Sequence, residues 1–168
     1  MILAAADSIG AGWPGTYALI LAAARPAEVT IGRLGAFTLA AGRYAYVGSA
    51  RGPGGVAARL DRHLRPNKAL HWHIDYLTAI WPTIAVFAAP NATEPGLPGL
   101  PTSRKLATLT KGSRECAWVR RLLALPSARA AIPRFGSSDC REGCPAHLIR
   151  LPDDFELGRL PHLLRETE

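Results

Sequence analysis

From Tyr17 to Ala24 the chain is apolar without interruption, directly after the turn signal Pro14-Gly15, and such a run predicts a buried central strand. Val29 to Ile31 and Ala36 to Leu39 are shorter β-like stretches joined through Gly32 and Gly35, so a meander is expected before the next strand, Arg43 to Gly48. The front third therefore reads as an antiparallel sheet. Gly52-Pro53-Gly54-Gly55 then breaks the chain. Beyond it Val56, Leu60 and Leu64 recur at i, i+4, i+8, which predicts a helix with Arg59, Arg62 and His63 flanking its apolar stripe, stopped by Pro66.

The pattern continues with a second helix from Trp72 to about Ala79, a strand over Thr83 to Ala89, and a Pro/Gly-rich loop from Pro90 to Pro101. Ser113 reads as the N-cap of a helix that runs to about Leu125. His147 to Leu151 suits a last short strand, and 153–164 a terminal helix. No repeat, low-complexity tract or dividing linker interrupts the chain, so 1–168 is expected to form one domain of the α/β (α+β) class, with its core over about 15–151. With 48% hydrophobic residues the chain can bury a real core rather than depend on staples.

Charge narrows the partners. A formal net charge of +7 favours a polyanion, because fixed cations release condensed counterions when they neutralise phosphates. Of the 20 basic residues 17 are arginines, whose planar fork suits phosphate oxygens; a genome rich in G and C would produce the same bias. No stretch approaches the roughly 18 apolar residues of a membrane span, and three cysteines cannot all pair within one chain. A cytoplasmic protein with no membrane contact is the expectation.

Gly15-Thr16-Tyr17 and Tyr46-Val47-Gly48 lie on two expected strands, and Arg59-Leu60-Asp61-Arg62-His63 on the helix that follows. Two tyrosines, an arginine and a histidine are thereby brought within reach of one another, a group suited to cutting a phosphodiester. Hydrolysis of that bond needs an activated water, charge neutralisation at the phosphoryl oxygens and help for the departing alkoxide. A tyrosine can relay a proton if nearby cations depress its pKa, a carboxylate can hold a divalent ion, and arginine supplies fixed charge. Each residue alone is more simply an ordinary strand tyrosine or a solvated helix residue, and only their order and spacing together favour the site.

In order and spacing these motifs resemble the GIY-YIG nuclease superfamily. The run from Gly15 to about Leu151, with His71-Trp72-His73-Ile74-Asp75-Tyr76-Leu77, Glu115-Cys116-Ala117 and Phe135-Gly136-Ser137-Ser138-Asp139-Cys140, more narrowly resembles its DUF123 branch. The resemblance implies a GIY-YIG-like small, mostly antiparallel sheet flanked by helices, with extra strands inserted between the two motifs. It implies that Tyr17 handles a proton or orients water, that Arg59 stabilises the transition state, that Glu115 holds Mg2+ or Mn2+, and that Tyr46 and His63 assist proton transfer. Gly48 would let the backbone pass close to a phosphate or to the helix. Arg51, Arg62 and Arg65, with His71, would track a nucleic-acid backbone, DNA more than RNA. Thr16 stands where isoleucine is usual, a mild change between β-branched residues. The long separation of Tyr17 from Tyr46 departs further from the pattern and leaves room for strands that alter access to a duplex.

Two further groups carry chemistry. His71, His73 and Asp75 are close in sequence, but on a helix His71 and Asp75 share a face while His73 points away. An aspartate holding a histidine tautomer is the simpler reading. Buried or reduced free thiols are the simpler reading of the three cysteines; the alternative is that Cys140-x-x-x-Cys144-x-x-His147, which has ligand spacing, is completed by Cys116 to a Cys3His set for a structural zinc ion if its helix packs beside that loop. The function expected from all of this is a metal-dependent endonuclease acting on DNA in repair or processing. The alternatives are a non-catalytic nucleic-acid-binding module on the same fold, and a zinc-stabilised interaction domain whose charge is incidental.

Overall fold

The computed structural model describes residues 12, 14–90 and 113–165. A five-stranded sheet is built from β1 (Gly15–Ala23), β4 (Gly42–Ala50), β5 (Thr83–Pro90), β6 (Arg129–Ala130) and β7 (Leu148–Arg150), in the order β5-β1-β4-β7-β6 with every neighbouring pair antiparallel. The mixed architecture matches the expected α/β class. β1 pairs with β4 on one side and β5 on the other, so its apolar run is enclosed from both faces and both edges. Of the loop expected over Pro90 to Pro101, Pro90 ends β5 and the rest lies outside the described residues.

Alternation along the strands feeds two cores. Tyr17, Leu19 and Leu21 of β1 join Tyr44 and Tyr46 of β4 on the face covered by α1 (Gly55–Leu64) and α2 (His73–Thr78). Ala18 and Ile20 point the other way, with Ala45 and Val47, towards α3 (Arg114–Leu123) and α4 (Leu160–Leu164). Ser113 caps α3 as expected, its Oγ accepting from the Cys116 N–H at 3.2 Å.

Three expectations change. The two stretches between the motifs do form strands, β2 (Ala27–Ile31) and β3 (Gly35–Leu39), but they pair only with each other and make a separate two-stranded sheet against α2. They cannot join a meander because both edges of β1 are already taken. In α1 the stripe ends early: Val56 and Leu60 are buried, whereas Leu64 is 42% exposed and His63 is wholly buried in its place. The terminal helix is also shorter than 153–164. Asp153 is drawn back to the Arg150 guanidinium at 2.7 Å, and the helix proper starts only at Leu160, after a 3-10 turn over Leu157–Arg159 and with Pro161 in its first turn.

Candidate functional site

Tyr17 and Tyr46 come together because of strand register. Tyr17 lies directly opposite Gly48, and Tyr46, two residues before Gly48, shares its face of β4. The ring centroids of the two tyrosines are 6.3 Å apart. A Cβ added at Gly48 would stand 2.6 Å from the Tyr17 Oη and 3.1 Å from the Tyr46 Cε1. The absence of a side chain at Gly48 therefore makes room for the two rings.

The Tyr17 hydroxyl lies 3.0 Å from His63 Nε2, and His63 Nδ1 lies 2.8 Å from Asp75 Oδ1. All three side chains are buried. Asp75 can only accept, so Nδ1 carries the hydrogen, and Nε2 is left to accept from the phenol. Burial pushes His63 below its ordinary value despite the opposing effect of Asp75. The His63–Asp75 contact is thus a hydrogen bond from a neutral ring to a carboxylate rather than a full ion pair. Burial would raise Asp75, but N–H groups from the Trp72 backbone, the His63 ring and the His71 backbone outweigh it and hold the carboxyl below its usual range. The aspartate does hold a histidine tautomer, but the histidine is His63 of α1, not a neighbour in its own helix.

Cations do not depress the tyrosines. Burial dominates at both, and Tyr17 is raised well above the ordinary phenol value, with Tyr46 and Glu115 adding to the effect while Arg59 opposes it only in part. Tyr46 is raised for the same leading reason. Both phenols therefore hold their protons at neutral pH, and the Tyr17 hydroxyl faces His63 Nε2. Arg59 borders this group with its guanidinium 4.6 Å from the centre of the Trp72 ring, and it lines an open cavity of about 280 Å3 together with Gly52, Pro53, Arg62 and Trp72.

The remaining expected contacts are spread around the same helix. Arg62 is turned inward to Asp75 Oδ2 at 3.1 Å and to the Ala69 carbonyl at 3.2 Å. Arg65 pairs with Asp61 on the surface, Arg51 is exposed, and His71 packs edge-on against Trp72. His73 turns away from that pair, and its Nδ1 accepts from the Gly136 N–H at 3.1 Å.

Glu115 stands in the first turn of α3, and its charge reaches Tyr17 and Tyr46. Its Oε1 accepts from His147 Nδ1 at 2.9 Å. The other side of that imidazole belongs to a second centre. One ligand atom each from Cys116, Cys140, Cys144 and His147 lies within 4.8 Å of all the others, a set that could hold a metal ion. Cys140 and Cys144 are brought to one side by a turn in which Gly143 adopts φ 73°, a left-handed conformation suited to glycine. Burial acts to raise the Cys140 thiol, but N–H groups of Cys144 and Glu142, with the Cys116 and His147 side chains, bring it down to about 6. Burial pushes the Cys116 thiol far up. At His147 the Glu115 carboxylate outweighs burial and raises the imidazole.

The two tyrosine motifs and the helix after them supplied Tyr17, Tyr46, Arg59 and His63, the resemblance supplied Glu115, and the structure gathers them. Sequence spacing missed Asp75 as the partner of His63. The available signal was a lone aspartate in an apolar helical turn, where a charge needs a partner. No curated protein and no solved structure matches the chain. The family model for the domain of unknown function DUF123 matches residues 16–95 and 99–166, which takes in every site residue named above. On that span, the chain belongs to the DUF123 family.

Proposed function

We propose that this chain is a metal-dependent endonuclease that hydrolyses phosphodiester bonds in DNA, with a role in DNA repair or processing. The observation that carries the reading is the buried chain Tyr17–His63–Asp75 beside Arg59 and Glu115. A phenol with a high pKa is a poor base by itself, but one bonded to a neutral imidazole can accept a proton from water while passing its own to Nε2. Asp75 keeps the imidazole in the tautomer that accepts and stabilises the imidazolium that results. Arg59 sets fixed charge against the phosphoryl oxygens, and Tyr46, held protonated by burial, has a proton to give the departing alkoxide. Support also comes from the GIY-YIG-like order of the two tyrosine motifs and the helical arginine, and from the net charge of +7.

Glu115 fits a hard divalent ion. Asp75 is fully engaged by His63, Arg62 and two backbone N–H groups, which among the described residues near the tyrosine pair leaves Glu115 for the task, and Mg2+ commonly takes one or two carboxylates with water and phosphate oxygens. When bound, Mg2+ or Mn2+ would supply positive charge against the phosphate. Arg51, Arg65 and His71 are exposed and are the residues we assign to contact with a nucleic-acid backbone.

The burial of Tyr17 and Tyr46 favours a second reading, a non-catalytic nucleic-acid-binding module on the same fold. Incubation of end-labelled duplex, flap, branched and single-stranded DNA with Mg2+ or Mn2+ separates the two. Cutting by the parent that is lost in Arg59→Ala and Glu115→Gln supports the nuclease. Salt-sensitive binding without cutting on every substrate supports the binding module, and neither cutting nor binding defeats both.

A further inference from the structure

We infer that Cys116, Cys140, Cys144 and His147 form a closed, tetrahedral structural Zn2+ centre, and that His147 transmits its geometry to Glu115. Three thiols and an imidazole are soft and borderline ligands that select zinc over the hard ions suited to a phosphodiesterase site. The Cys116 and Cys140 sulfurs are 3.5 Å apart, close to the roughly 3.8 Å edge of a tetrahedron with Zn–S bonds of about 2.3 Å. A Cys3His set fills all four positions, which leaves none for substrate and marks the centre as structural.

His147 provides the independent observation. The residue is 3% exposed, its Nδ1 donates to Glu115, and its Nε2 is buried with no hydrogen-bond partner among the described residues. A buried imidazole nitrogen with a lone pair and no hydrogen bond is costly unless a ligand takes it. Here the ring stands among the sulfurs, with the ligand atoms of all four side chains within 4.8 Å of one another. The backbone fixes the ring in place: the His147 N–H donates to the Phe135 carbonyl at 2.7 Å, and its carbonyl accepts from Val47 of β4 at 2.9 Å. A metal-bound histidine ordinarily donates its second nitrogen to a carboxylate, which fixes tautomer and orientation together. Glu115 is in that position.

The centre would tie the first turn of α3 to the loop that leads into β7, two segments joined also by the Glu115–His147 bond and the Glu142 contacts to Ser113 and Arg120. It also gives the Glu115 carboxylate a rigid mount. Only this last consequence depends on the nuclease reading.

The full chain, purified without chelator and kept reduced, should contain one zinc per chain by elemental analysis. Cobalt exchanged into it should show the intense visible bands and thiolate charge transfer of a tetrahedral site. Cys140→Ser and Cys144→Ser should each be substoichiometric in zinc. Glu115→Gln should retain the ion but release it to a competing chelator roughly 10–100-fold more readily, as loss of an outer-shell carboxylate does. A reduced parent that takes up no zinc on reconstitution, or a weak six-coordinate cobalt spectrum, overturns the centre. Unchanged zinc affinity in Glu115→Gln overturns the link through His147. Metal content and spectra report on this centre whether or not the chain cuts DNA.

Discussion

Replacing Asp75 by asparagine tests the buried proton relay at its anchor. Asp75 receives His63 Nδ1 on Oδ1 at 2.8 Å, and on Oδ2 the Arg62 guanidinium at 3.1 Å and the N–H groups of His71 and Trp72 at 3.1 and 2.9 Å. An amide has the same size but only one accepting oxygen. That oxygen will face the three donors at Oδ2, which leaves the NH2 against His63. The imidazole relieves the clash by moving its hydrogen to Nε2, where it can no longer accept from Tyr17. Each of the three surviving bonds loses its charge assistance, about 1 kcal/mol apiece, for a total near 3 kcal/mol. For a chain of this size that is a fall in Tm of roughly 6–12 °C. The inverted tautomer should cost cleavage far more, on the order of 10^2–10^4 in kcat at temperatures where the variant is folded. Because folded Asp75 titrates below its unfolded value, its stabilisation is complete above about pH 4 and lost as pH falls through the folded value. The stability gap between parent and Asp75→Asn should therefore close in acid. Urea unfolding across pH, paired with single-turnover cleavage, measures both. A stability loss under about 1 kcal/mol, or full kcat in a folded variant, refutes the relay.

Gly48→Ala should destabilise by about 1–3 kcal/mol in urea, since its methyl would press on both tyrosine rings and move Tyr17 off His63. Burial holds His63 below its ordinary value, so the stability gained from a neutral ring is complete above about pH 6.5 and is lost as pH falls through the folded value. The acid limb of the cleavage profile should accordingly lie below pH 6.5, and a limb above it would contradict His63 as the acceptor. Trp72→Ala removes a 40% exposed ring and its stacking with Arg59, and should cost no more than about 1 kcal/mol in thermal unfolding.

The elements were legible where a period was long enough to register. β1 could be read because its apolar run is uninterrupted, and α3 because Ser113 precedes a 3.6-residue pattern. β6 could not, since two residues carry no period. The errors inside the elements share one cause. A helical wheel put Leu64 in the core and His63 beside it, because hydrophobicity alone ranks leucine above histidine. Burial of His63 depends on Asp75, which arrives from a separate helix after the loop that follows Pro66. The same holds for the tyrosines: proximity of arginine suggested lowered phenol pKa values, and only the three-dimensional packing shows that desolvation exceeds that effect. The cysteines were half legible. Cys140, Cys144 and His147 have ligand spacing in one loop, whereas Cys116 joins them only through packing of α3.

Glu115 and Cys116 are consecutive, and that adjacency gives the fold its functional economy. Neighbours on a helix project about 100° apart, so one turn of α3 can aim a carboxylate at the tyrosine pair and a thiol at the Cys3His group. His147 closes the triangle with one nitrogen towards each. Glu115 fixes the hydrogen on Nδ1, and this leaves the Nε2 lone pair facing the sulfurs. The dependence runs in both directions, as any binding linkage must. An ion held by Nε2 narrows the positions open to Glu115, and a carboxylate held in place by a second ion or a phosphate-bound water would in turn fix the imidazole that zinc requires. At a fixed Mg2+ concentration, zinc affinity should therefore rise when an uncleavable DNA is bound, by the same factor as zinc raises the affinity for that DNA. Competitive zinc titrations with and without the DNA complex measure the first factor and salt-matched binding isotherms the second. No change in either affinity would place the centres on independent footings, with Glu115 serving only one of them.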